Sequence, residues 1–170
     1  MLKYLTAALL LSTPVHALDV GDALGVYLDR QVMTWAQDPL LMSALEAQNI
    51  RHAGLEAAAY TELDQRWSAE LGRTPAPLVD SVLQTPASDF LRARMEESKG
   101  LITEVFMMDV HGLNVASAGI TSDIWQGDEA IEFDDSRGVY QTQMSFTLSD
   151  PVTGAPIGAM TVGINAEMMQ

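Results

Sequence analysis

Three groups of side chains in this chain invite a chemical reading. They are His52 and His111, the acids between Asp123 and Asp135, and Trp125, alone in a polar stretch. Neither histidine lies in an H-x-x-x-H pair or beside a carboxylate at ligand spacing, and the chain has no Cys, so the pattern of a zinc or copper site is missing. His111, next to Gly112, reads as a solvated turn residue. Asp123, Asp128, Glu129, Glu132, Asp134 and Asp135 are hard oxygen donors of the kind calcium takes. Their spacing does not follow D-x-[DN]-x-[DN]-G, so a solvated acidic loop is the expectation. No G-x-S-x-G elbow is present, and Ser117 with His111 follows no triad signature. Carboxylate pairs suited to glycoside chemistry occur in any chain this acidic and carry no information. The G-x-x-x-x-G that ends at Gly163 lacks a following Lys-Ser/Thr and falls in a strand pattern, so its glycines indicate close backbone packing. The expectation is therefore a chain that is not an enzyme and uses no cofactor or metal.

Trp125 is different, because it belongs to no periodic element. It fits one wall of a small-molecule pocket, with Asp123 or Asp128 as polar anchors and the floor lined from Tyr140 and the polar row Gln141 and Gln143, depending on which face the helices cover. The competing expectation is that Trp125 plugs the end of a sheet. Trp35 and Trp67 fall on helical apolar stripes and read as core.

The elements that would position these residues divide the chain in two. Leu18 to Gln37 reads as a helix with Leu24, Leu28, Val32 and Trp35 on one face. Asp38 suits an N-cap and Pro39 the first helical position, opening a second helix to about Ile50 with Leu41, Ala44 and Leu45 inward. A third runs from about Leu55 to Leu71 and stops at Gly72. Arg73 to Pro77 is a rigid connector, Leu78 to Leu83 a further helical turn or two, and Pro86 to Ser98 a last helix that stops at Gly100. The period changes at Leu101. Leu101 to Asp109 is a strand apolar on both faces, hence central. His111-Gly112 fits a two-residue hairpin turn, and Leu113 to Ala118 returns. Gly119 to Ser136 is a long loop of the kind that carries function. Val139 to Leu148 alternates, with Tyr140, Thr142, Met144, Phe146 and Leu148 on one side and Gln141, Gln143, Ser145 and Thr147 on the other. A turn at Asp150 to Gly154 leads to a last strand, Ile157 to Ile164. The fold class expected is α+β, helices packed on a central antiparallel sheet.

The chain has 170 residues and a net charge of −14. So acidic a surface repels nucleic acid and anionic lipid headgroups. Lys3, the apolar run Leu5 to Leu11 and the small-residue site ending at Ala17 read as a secretory signal peptide cut after Ala17. That run is too short to span a bilayer. The expectation is one domain over residues 18–170, helical over 18–100 and sheet over 101–170, located in a periplasm without membrane insertion.

Trp35 to Asn49 (WAQDPLLMSALEAQN), Leu101 to Asp109 (LITEVFMMD), Gly112 to Val115 and Thr121 to Ala130 (TSDIWQGDEA) resemble the exported single Cache, or PDC-type, sensor domains, which are PAS-like extracytoplasmic domains. The resemblance implies a long N-terminal helix behind an antiparallel sheet, with a ligand on the opposite face under loops. It implies sensing of a small metabolite, with a homodimer through the first helix as in related sensors. Many relatives are fused to a membrane span and a signalling module; without these the expectation for this chain is signalling through a separate, membrane-bound partner, or binding alone. In one respect the chain departs from the pattern. Ala130 runs almost directly into the segment Ile131 to Asp134, where relatives carry residues that supply a further strand and part of the pocket wall. That shortening implies a four-stranded sheet and a shallower pocket; its alternative outcome is a protein-interaction module that has lost ligand binding. Only Arg137 is basic after Gly100, so charge favours an amine or neutral ligand over a carboxylate, with Trp125 and Tyr140 available for cation–π contact.

Overall fold

The computed structural model describes residues 20–127 and 141–169. The expected signal peptide, Asp128 and Tyr140 lie outside them.

The first helix, α1 (Val20–Tyr27), runs straight into a π-helical turn, Leu28–Val32, in which the Met33 N–H donates to the Leu28 carbonyl at 2.9 Å. Leu24, Leu28, Val32 and Ala36 are buried in steps of four. Such steps outrun the 3.6-residue α turn, and the wider π turn takes up the drift. Ala36 therefore enters the core in the place expected for Trp35. Trp35 is left half-buried, edge-on to Phe90 at 6.3 Å between ring centroids.

α2 (Pro39–His52) begins as its sequence dictates: the Asp38 carboxylate accepts the Leu40 N–H at 2.9 Å and Pro39 fills the first position. It buries Leu41, Leu45 and Gln48. α3 (Ala57–Glu70) ends at Gly72, whose φ of +70° is the left-handed conformation glycine adopts most readily. The short α4 (Pro77–Leu83) is capped from outside its own segment, because the Glu70 carboxylate accepts the Leu78 and Val79 N–H groups at 2.6 and 3.2 Å. α5 (Pro86–Glu97) is capped by Thr85 Oγ1, which accepts the Ser88 N–H at 3.1 Å. Thr85→Ala is expected to lower stability by about 1 kcal/mol, the usual cost of a lost N-cap, as read by urea unfolding.

Four strands follow: β1 (Ile102–Met108), β2 (Asn114–Ser117), β3 (Gln141–Ser149) and β4 (Pro156–Asn165). They form one antiparallel sheet in the order β2-β1-β4-β3, which makes β1 a central strand as its doubly apolar sequence requires. The register pairs Val105 with Val162 and Met107 with Met160, and sets Met144 and Phe146 beside the same two residues of β4. These side chains pack with Leu24, Leu28, Val32, Leu41, Leu45 and Leu91, so the helical half and the sheet half share one core. The alternation expected in β3 holds: Met144, Phe146 and Leu148 join this core, and Gln143, Ser145 and Thr147 fall on the other parity. A second apolar cluster of Trp67, Val79, Val82, Leu113 and Ile124 fastens α3 and α4 to the β1–β2 hairpin.

That hairpin differs from the two-residue turn expected. Asp109 N–H donates to the Leu113 carbonyl at 2.9 Å and Gly112 N–H to the Asp109 carbonyl at 3.0 Å, with Gly112 at φ +80°. This is a three-residue loop, Val110 to Gly112, whose last residue takes the left-handed position. The other hairpin turns at Asp150, whose Oδ1 accepts the Val152 and Thr153 N–H groups at 2.9 and 2.6 Å. Those bonds and one from the Thr153 hydroxyl hold the Asp150 carboxyl below its usual range.

Candidate functional site

The β1–β2 loop is built around a buried carboxylate that the sequence reading passed over. Asp109 Oδ1 accepts the His111 and Leu113 N–H groups at 2.8 and 3.0 Å. Its Oδ2 accepts Gln48 Nε2 at 3.0 Å and lies 2.7 Å from His52 Nδ1. Gln48 and His52, four apart, share one face of α2. The pair and an acid two residues before His111 are visible in the sequence, but nothing in it brings them together. Beside them Asn49 accepts the Val110 N–H at 3.1 Å and donates to the Ile157 carbonyl at 2.7 Å. One turn of α2 thereby grips both the loop and β4.

His111 is not the solvated turn residue expected. Its ring is half-buried, 5.5 Å from the Tyr60 ring, with Nδ1 2.7 Å from the Tyr60 hydroxyl. A turn residue is drawn inward here because α3 brings an aromatic ring and a hydroxyl together at that point.

Trp125 packs on the same corner. It pairs with Leu113 as a short bridge that prolongs the sheet beyond β2. Its indole N–H donates to the His111 carbonyl at 2.9 Å, and its ring lies 5.6 Å from Tyr60. Asp64 of α3 accepts the Ile124 N–H at 3.1 Å. Gly127 lies against the indole so closely that a Cβ there would sit 2.5 Å from Nε1. Asp123 acts through its backbone: its carbonyl accepts Asn114 Nδ2, Thr121 Oγ1 and Gln126 Nε2 at 3.1, 2.7 and 2.8 Å. The loop from Gly119 to Gly127 is thus fixed by its own polar groups and by α3.

Gln143 lies elsewhere. It is on β3, at the other edge of the sheet, where its Nε2 donates to Glu104 Oε2 at 2.8 Å. From β2 to β3 is three strand spacings, about 14 Å, and Gln143 is also displaced along the strands toward the Glu104 end. Asp123 and Trp125 are therefore brought together, and Gln143 is not brought to them. Asp128 and Tyr140 lie outside the described residues.

Gln143 does belong to a coherent surface, the sheet face turned away from the helix core. The register sets Glu104, Phe106 and Met108 of β1, Thr161 of β4 and Asn114 and Ser117 of β2 on it. Phe106, Met108 and Thr161 are only 5%, 8% and 4% exposed. Thr161 Oγ1 and Ser145 Oγ lie 2.7 Å apart. From Leu101 onward the described residues include no Lys or Arg. Among the described residues no three His, Asp or Glu side chains gather as a metal-binding set, and none forms a helix long and apolar enough to cross a membrane. No known family model matches the chain, and no curated protein sequence matches it.

Proposed function

We propose that this chain is an exported small-molecule sensor domain of the single Cache type. In this reading it works in the periplasm, binds its ligand on the sheet face opposite the helices and signals through a separate membrane-bound partner. The observation that carries the reading is the composition of that face. Phe106 and Met108 are buried there beside a short polar row, Glu104, Gln143, Ser145 and Thr161. An apolar floor with a few placed polar groups is what a small-ligand site needs. The Asp109 loop and the Trp125 corner serve as the frame, holding the edge of the sheet to α2 and α3.

The test is thermal unfolding of the chain against amino acids, amines, organic acids, sugars and divalent cations. A ligand at about 100 times its Kd stabilises by about 2.7 kcal/mol, which raises Tm by several degrees for a chain of this size. A rise confined to one chemical class is the expected result; a flat response across all classes contradicts the reading.

A second reading, a protein-interaction module or a dimer formed through the first helix, is favoured by Val26 and Met33. They are seven residues apart and 52% and 37% exposed. Sedimentation of the chain and of a Val26→Asp, Met33→Asp variant tests it, since a helix-mediated dimer is lost in the variant.

A further inference from the structure

Asn114 stands at the edge of the proposed ligand face with one group unmatched. The residue is 1% exposed. Its backbone N–H donates to the Ile124 carbonyl at 2.8 Å, and its carbonyl accepts Gln48 Nε2 at 3.2 Å. Its side-chain Nδ2 donates to Thr121 Oγ1 at 3.0 Å and to the Asp123 carbonyl at 3.1 Å. Its Oδ1 is buried and accepts nothing.

Turning the amide over does not remove the mismatch. The Asp123 carbonyl is an acceptor only. The Thr121 hydroxyl both accepts and donates, so it matches either orientation and does not decide between them. A flipped Asn114 would set Oδ1 against the Asp123 carbonyl, 3.1 Å away, so that carbonyl holds the amide in its orientation. A buried acceptor without a partner is rare in a folded chain, and one beside a candidate site needs an explanation.

The surroundings define the missing donor. The register sets Asn114 opposite Met108, with Phe106 and Thr161 on the same face. The other polar groups there bond to one another: Gln143 to Glu104, and Ser145 to Thr161. Oδ1 is the buried acceptor left without a donor, and the described sheet half holds no Lys or Arg to supply one. We infer that the ligand of this face carries an N–H donor, as in a primary amine, and that Asn114 Oδ1 accepts from it. The inference rests on the sensor reading above and narrows it to one chemical class. It also separates two kinds of amine recognition: a hydrogen bond demands N–H, whereas attraction to an aromatic face is satisfied by a quaternary ammonium.

The experiment uses the full chain, 15N-labelled, with butylamine and ethanolamine as primary amines, tetramethylammonium as a cation without N–H, and butyrate and succinate as carboxylates. The expected result is that the primary amines raise Tm by about 5–10 °C at about 100 times their Kd. They also shift the Asn114 side-chain NH2 signals and give nuclear Overhauser contacts to the Phe106 ring, and the other three probes do neither. Asn114→Ser then weakens amine binding at least tenfold. That variant also gives up bonds to the 121–123 loop, so the spectra of the unaltered chain decide. Tetramethylammonium binding as tightly as butylamine overturns the N–H inference, as do amines that bind without moving the Asn114 amide. If butyrate or succinate contacts Phe106 while the amines do not, the ligand face stands and its assigned class falls. If none of the five binds, the amine inference falls, and the sensor reading is decided by the wider thermal series of amino acids, sugars, organic acids and cations.

Discussion

Asp109→Ala is expected to destabilise the chain by about 3–5 kcal/mol, the range for removing one partner of a buried charged network. The carboxylate is fully buried and four groups converge on it: two loop N–H groups, the Gln48 amide and the His52 ring. Each donor left unmet in the interior carries its own desolvation penalty. Against a typical total stability of about 5–15 kcal/mol, the loss moves the urea midpoint far toward zero. Asp109→Asn keeps an oxygen for the two loop amides but sets an NH2 against the Gln48 amide, and an intermediate loss of about 1–3 kcal/mol follows. Urea unfolding of the two variants beside the unaltered chain checks the order. An alanine variant within 1 kcal/mol of the parent would show that the network does not hold the loop.

The second large effect is at Gly158, where β4 passes under β1 and α2. A Cβ built there lies 2.3 Å from the Met108 carbonyl oxygen and 2.9 Å from Leu45 Cδ1. A flexible side chain gives way at small cost, but the carbonyl belongs to the β1 backbone beside Ala159 and shifts only if the sheet does. Gly158→Ala is therefore expected to cost at least about 3 kcal/mol, the upper end of ordinary overpacking. Adding Leu45→Ala does not rescue it, because the closer clash remains. Circular dichroism during thermal melting reads both variants. Recovery of the parent Tm in the double variant would place the conflict in the side chain and not the backbone.

The features most legible in the sequence were those encoded by local rules. Asp38-Pro39 and Pro86 announced helix starts, Gly72 and Gly100 announced stops, and the period-two alternation of Met144, Phe146 and Leu148 separated the two faces of β3, of which the structure turns this one to the helices. Val105 to Met108, apolar on both parities, identified the central strand. What local rules do not encode is distance between elements. Asp109 gave no sign that Gln48 and His52, about sixty residues earlier, would close over it, and His111 gave none that Tyr60 would. Trp125 and Gln143 looked like parts of one pocket because the strand that follows the long loop offered a polar row as a floor for it. Strand order separates them, since β1 and β4 intervene between β2 and β3. The π turn at Leu28 moved Ala36 into the place expected for Trp35, a shift of one residue that helical periodicity cannot foresee.

The central claim is that a small molecule binds the sheet face opposite the helices, and the methionines report on it directly. Met108 lies on that face, Met107 and Met160 lie in the helix core, and Met33 and Met168 are exposed elsewhere. The measurement is a titration of the chain, labelled with 13C at its methionine methyls, with the amino acids, amines, organic acids and sugars of the thermal test. The predicted result is a saturable shift of the Met108 methyl with one class of compound while Met33 and Met168 stay still. Shifts confined to Met33 or Met168, or no methyl response to any compound, would contradict it.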